Sequence, residues 1–403
     1  MKEPFSDQTG PPSILDHDLN RHFPKLLEYG STAELVRSGL WRDIRDEAER
    51  ILSAIVVEDL ALPAPQPLND GRIEALAWNI ERGNVFDGIV EALQHHSDLK
   101  DKDILLLTEL DHGMARSGNR FVAREMARTL GLNYAFAPVY IALQKGSGVE
   151  AEAAGENTLS LHGLAMFSKW PMKNVHAVPL PNGKDKMWGK EKRLGSLRAL
   201  FADIDHPLCT FRAVTVHLDA HCSRAHRQMQ MRIILDHLEK LPEMPTLIGG
   251  DWNTTTFNSQ DSTRAIMGYW RRVFMGPKNV AQNHLPYPER FFERSLFAML
   301  GKYGYEYEPF NEAGVGTLHY HVESIEKNTN LRDWVPEWCF PFIFWAANRV
   351  GGHVSGRLDW FAAKGLKLAA GSRPKTIGEL KDHNGVPLSD HDAIAVDLVP
   401  DLQ

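Results

Sequence analysis

Hydrophobic and polar positions alternate in short blocks along residues 72–399, and these blocks predict strands with helices between some of them. Continuous or alternating apolar runs predict strands at 72–80, 103–110, 134–143, 161–168, 197–204, 210–218, 245–251, 357–365 and 391–399. Apolar residues at helical spacing predict helices at 85–96, 121–131 and 226–241. Because several strands follow one another directly, the pattern favours mixed sheets over one purely parallel sheet.

Two segments depart from this pattern, one at the N-terminus and one inside the chain. Residues 1–70 are predicted to form a helical extension, in which a helix over 31–55 is followed by a proline-rich linker that leads into a domain spanning 71–403. Residues 258–350 carry 18 of the chain's 37 aromatic residues and are too long for an ordinary loop, so we expect an inserted subdomain or lid. Its aromatic side chains could form a small core of their own, or line a substrate pocket or a lipid-facing surface.

Composition narrows the class of protein. A formal net charge of −7 with a pI near 6.2 excludes the strongly basic character of a dedicated nucleic-acid-binding protein, although it leaves a local basic cleft open. Three cysteines without a CxxC pair favour a reducing compartment. Because no signal-peptide pattern and no apolar run of membrane-spanning length occur, we expect a cytoplasmic protein without a transmembrane segment.

Polar residues stand where the predicted strands end. In GGDWN, Asp251 and Asn253 are two positions apart and therefore point to the same side of an extended segment, although such a stretch is also typical of a turn. Residues of the same kind stand at or near the other strand ends: Asn79, Glu109, His217, Asp359, Asp390 and His391. Strand ends along one rim of an α/β sheet converge in space, and α/β proteins build their sites there.

The chemistry that this set supports is narrow. Carboxylates and amides without thiolates are hard oxygen ligands, which suit Mg²⁺ or Mn²⁺ better than structural zinc. The histidines add general acid and base capacity near neutral pH. A metal with acid and base groups, but without a serine or cysteine nucleophile, indicates metal-assisted hydrolysis by water, most naturally of a phosphate ester.

Seven motifs in a fixed order carry a family resemblance: WNIERG at 78–83, LLLTELD at 105–111, HGLAMFS at 162–168, TVHLDAH at 215–221, GGDWNT at 249–254, GRLDW at 356–360 and LSDHDAI at 388–394. Together they resemble the endonuclease/exonuclease/phosphatase superfamily, which includes deoxyribonuclease I, AP endonucleases, neutral sphingomyelinases and inositol polyphosphate 5-phosphatases. The resemblance implies an α/β fold of the deoxyribonuclease I type, a four-layer sandwich of two mixed β-sheets flanked by helices. The N-terminal extension and the aromatic insertion would be additions to that fold.

The resemblance also implies how a metal ion would be held. Glu109 would be the principal metal ligand, with Asn79 beside it touching the metal or the phosphate. Asp390 would be a further carboxylate at the metal site. The metal that the resemblance implies is Mg²⁺, or Mn²⁺ in its place.

The remaining site residues would act on water and on the phosphoryl group. The resemblance implies that Asp251 orients or deprotonates the attacking water and that Asn253 holds that water or a phosphate oxygen. Asp359 and His391 would form a hydrogen-bonded pair at the phosphoryl group, and His217 would stabilise the transition state. The resemblance leaves open whether Asp251 or His391 is the base. Because a carboxylate beside a divalent cation stays ionised, Asp251 is favoured.

Substrate contacts are predicted near the metal ligands. Arg82 follows the Asn79 strand, and Arg116 and Asn119 follow Glu109 in a loop whose glycines would let backbone N–H groups approach an anion. The arginines could instead pair with carboxylates in a solvated loop. The same alternatives apply to the basic cluster at 184–193. The family's Gly-Asn-Ala strand reads Gly-Leu-Ala here, with Leu164 in place of an amide, which disfavours nuclease-like contacts at that point.

Three functions fit these observations. The favoured one is a divalent-metal-dependent phosphodiesterase or phosphatase acting on a small or lipid phosphate, with the insertion as a lid or as a peripheral lipid contact. The alternative is a DNA or RNA nuclease, which would need a continuous basic groove with stacking aromatic residues. The third is a non-catalytic binding module that retains the fold. It is disfavoured because Glu109, Asp251, Asp359 and His391 are all present.

Overall fold

The computed structural model describes residues 14–61, 71–188, 191–254, 258, 261–321, 338 and 340–401. Its strands are β1 (Val56–Glu58), β2 (Ile73–Arg82), β3 (Ile104–His112), β4 (Asn133–Ala142), β5 (Leu161–Ser168), β6 (Met172–Pro179), β7 (Arg193–Gly195), β8 (Arg198–His206), β9 (Cys209–His217), β10 (Thr246–Asp251), β11 (Leu318–His321), β12 (His353–Gly356), β13 (Asp359–Lys364), β14 (Leu366–Leu368), β15 (Lys375–Ile377) and β16 (Ala393–Pro400). Its helices are α1 (Phe23–Leu26), α2 (Thr32–Val36), α3 (Gly39–Ser53), α4 (Phe86–His95), α5 (Val122–Leu130), α6 (Arg224–Leu238), α7 (Ser262–Met275), α8 (Pro277–Asn279), α9 (Arg294–Lys302) and α10 (Phe340–Asn348).

Two mixed sheets pack against each other. The first has the order β1-β4-β5-β3-β2-β16-β14, with β7 beside β4 and β15 beside β16, and the second has the order β13-β10-β9-β8-β6. The pairs β2/β3 and β9/β10 are parallel, and the other pairs within these two sheets are antiparallel. Together with the helices that flank them, the two sheets confirm the predicted fold class.

The central strands are apolar on both faces because both faces are covered. On β2, Ala75 and Ala77 belong to the core between the two sheets, whereas Leu76 and Trp78 point to the opposite face. That outer face packs against α4 and α5, while α6 and α9 contribute to the core on the side of the second sheet. Burial on both faces explains why these strands have continuous rather than alternating apolar sequences.

The described part of the N-terminal extension packs onto the first sheet. The helical pattern predicted over 31–55 is two helices, because Ser38 accepts the backbone N–H of Trp41 and so begins α3 as a new helix. Strand β1 then pairs antiparallel with β4. Most of the predicted linker, residues 62–70, lies outside the described residues.

The predicted insertion contains α7, α8, α9, β11 and α10, and β12 follows it. Part of its aromatic content forms a core, because Phe297 of α9 lies against Trp360 of β13 and Phe310 is buried. Other aromatic side chains on α7 and α10 are exposed. Among the described residues, no helix is long and apolar enough to cross a membrane.

Candidate active site

The strand register brings the predicted site residues to one rim. Asp251 is the last residue of β10, where it lies opposite His217 of parallel β9 and opposite Asp359 of antiparallel β13. Asn79 lies near the end of β2, which is parallel to β3, the strand that carries Glu109. The two parallel pairs therefore deliver polar side chains at the same end of both sheets.

Four of these side chains approach one carboxylate oxygen, Oδ2 of Asp251. Oδ2 of buried Asp251 lies 3.2 Å from Nδ2 of Asn79 and 3.3 Å from Nδ2 of Asn253. It also lies 3.5 Å from Nε2 of His217 and 3.9 Å from Nε2 of His391. We call these five residues the Asp251 cluster. Burial raises the pKa of Asp251 to about 6, with Asp359 also raising it, although His391 opposes the shift.

The glycines and the Asn253 turn explain the local sequence. At Gly250, which has φ 131°, a Cβ atom would lie 2.2 Å from the carbonyl oxygen of Val216, so no side chain fits there. The Asn253 N–H donates to Oδ1 of Asp251 at 2.9 Å, and its Nδ2 donates to the carbonyl of Leu218. The segment thus forms a turn and also points Asp251 and Asn253 into the site, so the two interpretations of GGDWN are compatible.

His391 and Asp359 form the hydrogen-bonded pair that the resemblance implies. Nδ1 of His391 lies 2.8 Å from Oδ2 of Asp359, and both side chains are buried. The Oγ1 of Thr317 donates to the same oxygen at 2.7 Å and accepts the N–H groups of Leu358 and Asp359. Burial alone would lower the pKa of His391, but the negative charges of Asp359 and Asp251 outweigh it and raise that pKa well above its ordinary value.

A second set of carboxylates lies on the other side of Asn79. Nδ2 of Asn79 donates to Glu109 at 3.1 Å, and Glu81 accepts the backbone N–H of Asp390 at 3.1 Å. Nη1 of Arg82 lies 4.0 Å from Glu81 and 3.9 Å from Glu109. Glu81, Glu109 and Asp390 are called the carboxylate cluster below.

Glu81 is the residue that the sequence prediction missed. It stands two positions after Asn79, as Asn253 stands two positions after Asp251, and this spacing was the available signal. The register between β2 and β3 shifts between Asn79 and Arg82, and Glu81 has φ 44°. Strand alternation alone therefore could not determine where Glu81 points.

The pKa values in the carboxylate cluster move in two directions, upward for Glu81 and Asp390 and downward for Glu109. Burial and the neighbouring Asp390 raise the pKa of Glu81 to about 8. Burial, with the charge of Glu109, also raises the pKa of Asp390. The pKa of Glu109 is lowered instead, because Arg82, His217 and His162 outweigh its burial. A divalent cation would satisfy such a set of oxygen atoms.

Another group of possible ligands is more compact. Among the described residues, Asp251, Asp359 and His391 offer one ligand atom each within 4.8 Å of one another. Oδ2 of Asp359 already accepts from Nδ1 of His391 and from Thr317, and the raised pKa of His391 favours a proton on that ring. The oxygen-only carboxylate cluster therefore fits a hard divalent cation better than this group does.

The predicted substrate residues have different surroundings. Arg82 lies beside Glu109, as described above, and its Nε is 3.0 Å from Glu150. Arg116 is buried and donates to both carboxylate oxygens of Asp111, at 2.7 and 3.0 Å. Asn119 bonds the segment at 156–158. The structure therefore brings Arg82 to the carboxylate cluster, whereas Arg116 is bonded to Asp111 of β3 and Asn119 to the segment at 156–158.

Two further positions bear on substrate contacts. Leu164 is 1% exposed and belongs to the core between the sheets, so its side chain is not at the rim. Nearby, Nδ1 of His162 lies 2.8 Å from Asp111. In the basic cluster at 184–193, Lys186 pairs with Asp219 and Arg193 pairs with Glu191.

Comparison with solved structures finds chains that are similar over most of the length of this protein. Among solved structures, the fold is similar to an endonuclease/exonuclease/phosphatase from Beutenbergia cavernae DSM 12333, with 17% identity, coverage of 82% of this chain and 72% of that chain, and a TM-score of 0.47. It is also similar to the 3'-5' exonuclease NExo from Neisseria Meningitidis, with 14% identity, coverage of 81% and 99%, and a TM-score of 0.44. No curated protein matches the chain.

The sequence model of the Endonuclease/Exonuclease/phosphatase family matches residues 76–391, a range that contains every residue of the Asp251 cluster and of the carboxylate cluster. The resemblance carried by the seven motifs is thereby confirmed. This family comprises metal-dependent phosphoesterases, nucleases and phosphatases among them. The protein belongs to the endonuclease/exonuclease/phosphatase family.

Proposed function

We propose that the protein hydrolyses phosphate esters by attack of a water molecule, with a divalent cation, Mg²⁺ or Mn²⁺, held by the carboxylate cluster and Asn79. The observation that carries the proposal is the convergence of Asn79, His217, Asn253 and His391 on one oxygen of Asp251. These groups come from separate strand ends. A purely structural role would not require two histidines and a buried carboxylate to meet there. Bound there, the cation would polarise a phosphoryl oxygen and offset developing negative charge.

Asp251 is the proposed base. Its pKa of about 6 leaves it mostly ionised near neutral pH and still able to accept a proton. The Nδ2 groups of Asn79 and Asn253, both hydrogen-bonded to it, hold the carboxylate in position. Asn253 also has an oxygen that can accept from the water being activated, since its Nδ2 is engaged with Leu218 and Asp251.

His391 is the proposed electrostatic stabiliser. Asp359 accepts from its Nδ1 and so orients Nε2 toward the side of Asp251. Because the pKa of His391 is raised, the ring carries a positive charge near neutral pH, which would stabilise the negative charge that builds on a phosphoryl group. His217, on the other side of Asp251 Oδ2, would supply a second donor.

The proposed substrate is a small or lipid phosphate ester rather than a nucleic acid. Nucleic-acid binding depends on cations that can neutralise successive backbone phosphates. Four basic side chains near the site already have carboxylate partners: Arg82 with Glu150, Arg116 with Asp111, Arg193 with Glu191 and Lys186 with Asp219. This pairing removes the charge that a polyanion would need.

Hydrolysis of bis(p-nitrophenyl) phosphate tests the reaction. We expect turnover with Mg²⁺ or Mn²⁺, none in excess chelator, and a large loss in Glu109→Gln and His391→Ala. Asp98→Asn is the matched control, because Asp98 forms an ion pair with Lys375 outside the two clusters. Full activity in chelator, or in either site variant, would contradict the proposal.

A substrate panel tests the substrate class. Wild type and His391→Ala are compared on plasmid DNA, RNA, nucleotide phosphodiesters, phosphoinositides and sphingomyelin. We expect His391-dependent turnover of a small or lipid ester and little on the nucleic acids. Faster turnover of DNA or RNA, with a steep loss as salt rises, would instead establish the nuclease alternative.

We also propose a reducing, cytoplasmic location. Both cysteines that the structure describes, Cys209 and Cys222, are free. Burial raises the pKa of the Cys222 thiol to about 12, so it would be unreactive toward oxidants. A thiol titration of protein taken directly from cells tests this proposal, and the expected result is that all cysteines are reduced.

A further inference from the structure

The insertion carries an exposed aromatic surface that the proposed chemistry does not use. On α7 and α10, five large apolar side chains are exposed: Met267 at 67%, Trp270 at 40%, Phe274 at 85%, Phe342 at 46% and Trp345 at 47%. We call these five the aromatic face. Isolated exposed apolar residues are common, but a contiguous group of this size marks an interaction surface.

The two helices hold the aromatic face together as one surface. The Tyr269 hydroxyl donates to the backbone carbonyl of Phe342 at 2.6 Å, which joins α7 to α10. The ring of Trp270 lies 6.0 Å from that of Phe342 and 6.3 Å from that of Phe274. Trp270 therefore lies near Phe342 across the helix pair and near Phe274 along α7, so these three rings form one surface.

The charge on the two helices of the aromatic face is mainly positive, although Asp261, which caps α7, pairs with Arg264 at 2.9 Å. Residues 262–275 and 340–349, which comprise the two helices and one flanking residue, contain four arginines and no aspartate or glutamate, although the whole chain has a net charge of −7. The guanidinium of Arg349 lies 4.5 Å from the ring centroid of Trp345. Tryptophan and phenylalanine beside arginine are typical of side chains that enter the headgroup region of a bilayer.

The aromatic face is also connected to the site through the chain. Helix α7 follows β10, which ends at Asp251, and α10 precedes β12, which leads to Asp359. Strands β10 and β13 pair with Asp251 opposite Asp359. The helices of the aromatic face thus leave and rejoin the domain at the rim that carries the proposed chemistry.

We propose that the aromatic face docks on the surface of an anionic lipid bilayer. The aromatic rings enter the interfacial region, and the exposed Arg349 beside Trp345 contacts the anionic headgroups. This proposal goes beyond the proposed function, because docking requires no turnover. Where both hold, docking would bring the rim close to phosphate esters of membrane lipids.

Vesicle co-sedimentation of the full chain tests the docking. The probes are vesicles of phosphatidylcholine alone and of phosphatidylcholine with phosphatidylglycerol. We expect binding to the anionic vesicles to be about tenfold tighter than to the neutral ones. The double variant Trp270→Ser/Phe274→Ser should weaken binding to the anionic vesicles by about tenfold or more, because it removes two rings that would leave water.

A matched control separates the aromatic face from apolar exposure in general. Val36 and Val57 are exposed apolar residues on the N-terminal extension, and the double variant Val36→Ser/Val57→Ser should bind anionic vesicles as the wild type does. The aromatic-face variant should keep its rate on soluble bis(p-nitrophenyl) phosphate, so failure of docking and failure of the proposed function are distinguishable. Circular dichroism and a thermal melt check that each variant is folded.

Three results would overturn the proposal. The first is that the wild type does not bind anionic vesicles, and the second is that the aromatic-face variant binds them as well as the wild type does. The third is that the wild type forms a dimer in sedimentation velocity and does not bind vesicles, whereas the aromatic-face variant is a monomer. In that case a second copy of the chain, rather than a bilayer, covers the face.

Discussion

Two groups of buried carboxylates lie along the same rim, and their pKa values move in opposite directions. Arg193 and Arg116 outweigh burial and lower the pKa of Glu191 to about 2, and Arg116 and His162 similarly lower that of Asp111. Burial instead raises the pKa of Asp251 to about 6 and that of Glu81 to about 8. The difference is the presence of a fixed arginine partner.

The comparison separates structural charge from functional charge. In the first group, called here the arginine cluster, Arg116 bridges Asp111, Glu150 and Glu191, so the protein itself neutralises the charge. Asp251 and Glu81 lack such close neutralisation, which is costly unless a cation, a proton or a substrate supplies it. Glu109 lies between the two groups, 3.9 Å from Arg82. Its pKa is lowered, because the charge of Arg82 outweighs its burial.

The largest expected effect comes from exchanging one carboxylate in each group for an amide. Asp251→Asn should lower the turnover rate by about 10²–10⁴-fold, because the proposed base is lost. It should change the thermal stability less than Asp111→Asn does, because burial opposes the ionisation of Asp251 and the nearby charge of His391 offsets this only in part. Asp111→Asn should lower the free energy of unfolding by about 3–5 kcal/mol, because it weakens the pairing of buried Arg116.

Steady-state kinetics and urea unfolding of both variants test whether one substitution mainly lowers turnover and the other mainly lowers stability. In the folded fraction of Asp111→Asn, turnover should fall far less than in Asp251→Asn. If Asp251→Asn were the more destabilised and Asp111→Asn the less active, the assignment of functional and structural charge would be reversed.

The next effect concerns the pH dependence of stability from Glu191. Its folded pKa of about 2 lies below the unfolded value of about 4.3, so its contribution is fully present above the unfolded value and is lost as the pH falls through 2. Glu191→Gln should therefore cost roughly 2–3 kcal/mol near pH 7, and its difference from wild type should shrink between about pH 5 and pH 2. Unfolding titrations at several pH values test this, and a difference independent of pH would contradict it.

A smaller effect is expected at Thr317, a positioning residue for the Asp359–His391 pair. Its hydroxyl donates to Oδ2 of Asp359 and accepts two backbone N–H groups. Thr317→Val should lower kcat by about tenfold with little change in KM, because the carboxylate would lose one of its two donors. Thr317→Ser keeps the hydroxyl and should restore most of the rate.

The pH profile distinguishes this role from loss of packing. With a donor removed from Asp359, the carboxylate should hold the His391 proton more strongly, so the limb of the kcat profile assigned to His391 should move to higher pH in Thr317→Val. A parallel loss of rate in both variants, with an unchanged profile, would show that Thr317 acts only in packing.

The last prediction concerns stabilisation by the metal. Mg²⁺ or Mn²⁺ at about 100 times its dissociation constant should add about 2.7 kcal/mol to the free energy of unfolding, which is a rise of a few degrees in Tm for a chain of this size. Glu81→Gln should reduce the rise, and Asp98→Asn, whose ion pair with Lys375 lies outside both clusters, should not. An equal rise in Glu81→Gln would remove Glu81 from the ligand set.

Much of the fold could be predicted, because the local pattern of apolar residues specifies most of the central strands and helices. The apolar runs at 72–80, 103–110 and 245–251 correspond to β2, β3 and β10, and the three predicted helices correspond to α4, α5 and α6. Peripheral strands such as β6 and β7 were missed, because no residue of β6 is fully buried and β7 is only three residues long. Their pairing depends on strands distant in sequence and not on their own apolar pattern.

The sequence by itself determined which residue types stand at the strand ends, and with them the family. Only the tertiary structure decided which of these residues meet. The antiparallel pairing of β10 with β13 sets Asp359 opposite Asp251, a bulge in β2 directs Glu81 to Asp390, and Glu150 comes from a loop distant in sequence to pair with Arg116. Register, bulges and loop packing depend on contacts between distant segments, so local sequence cannot specify whether a buried charge will be neutralised.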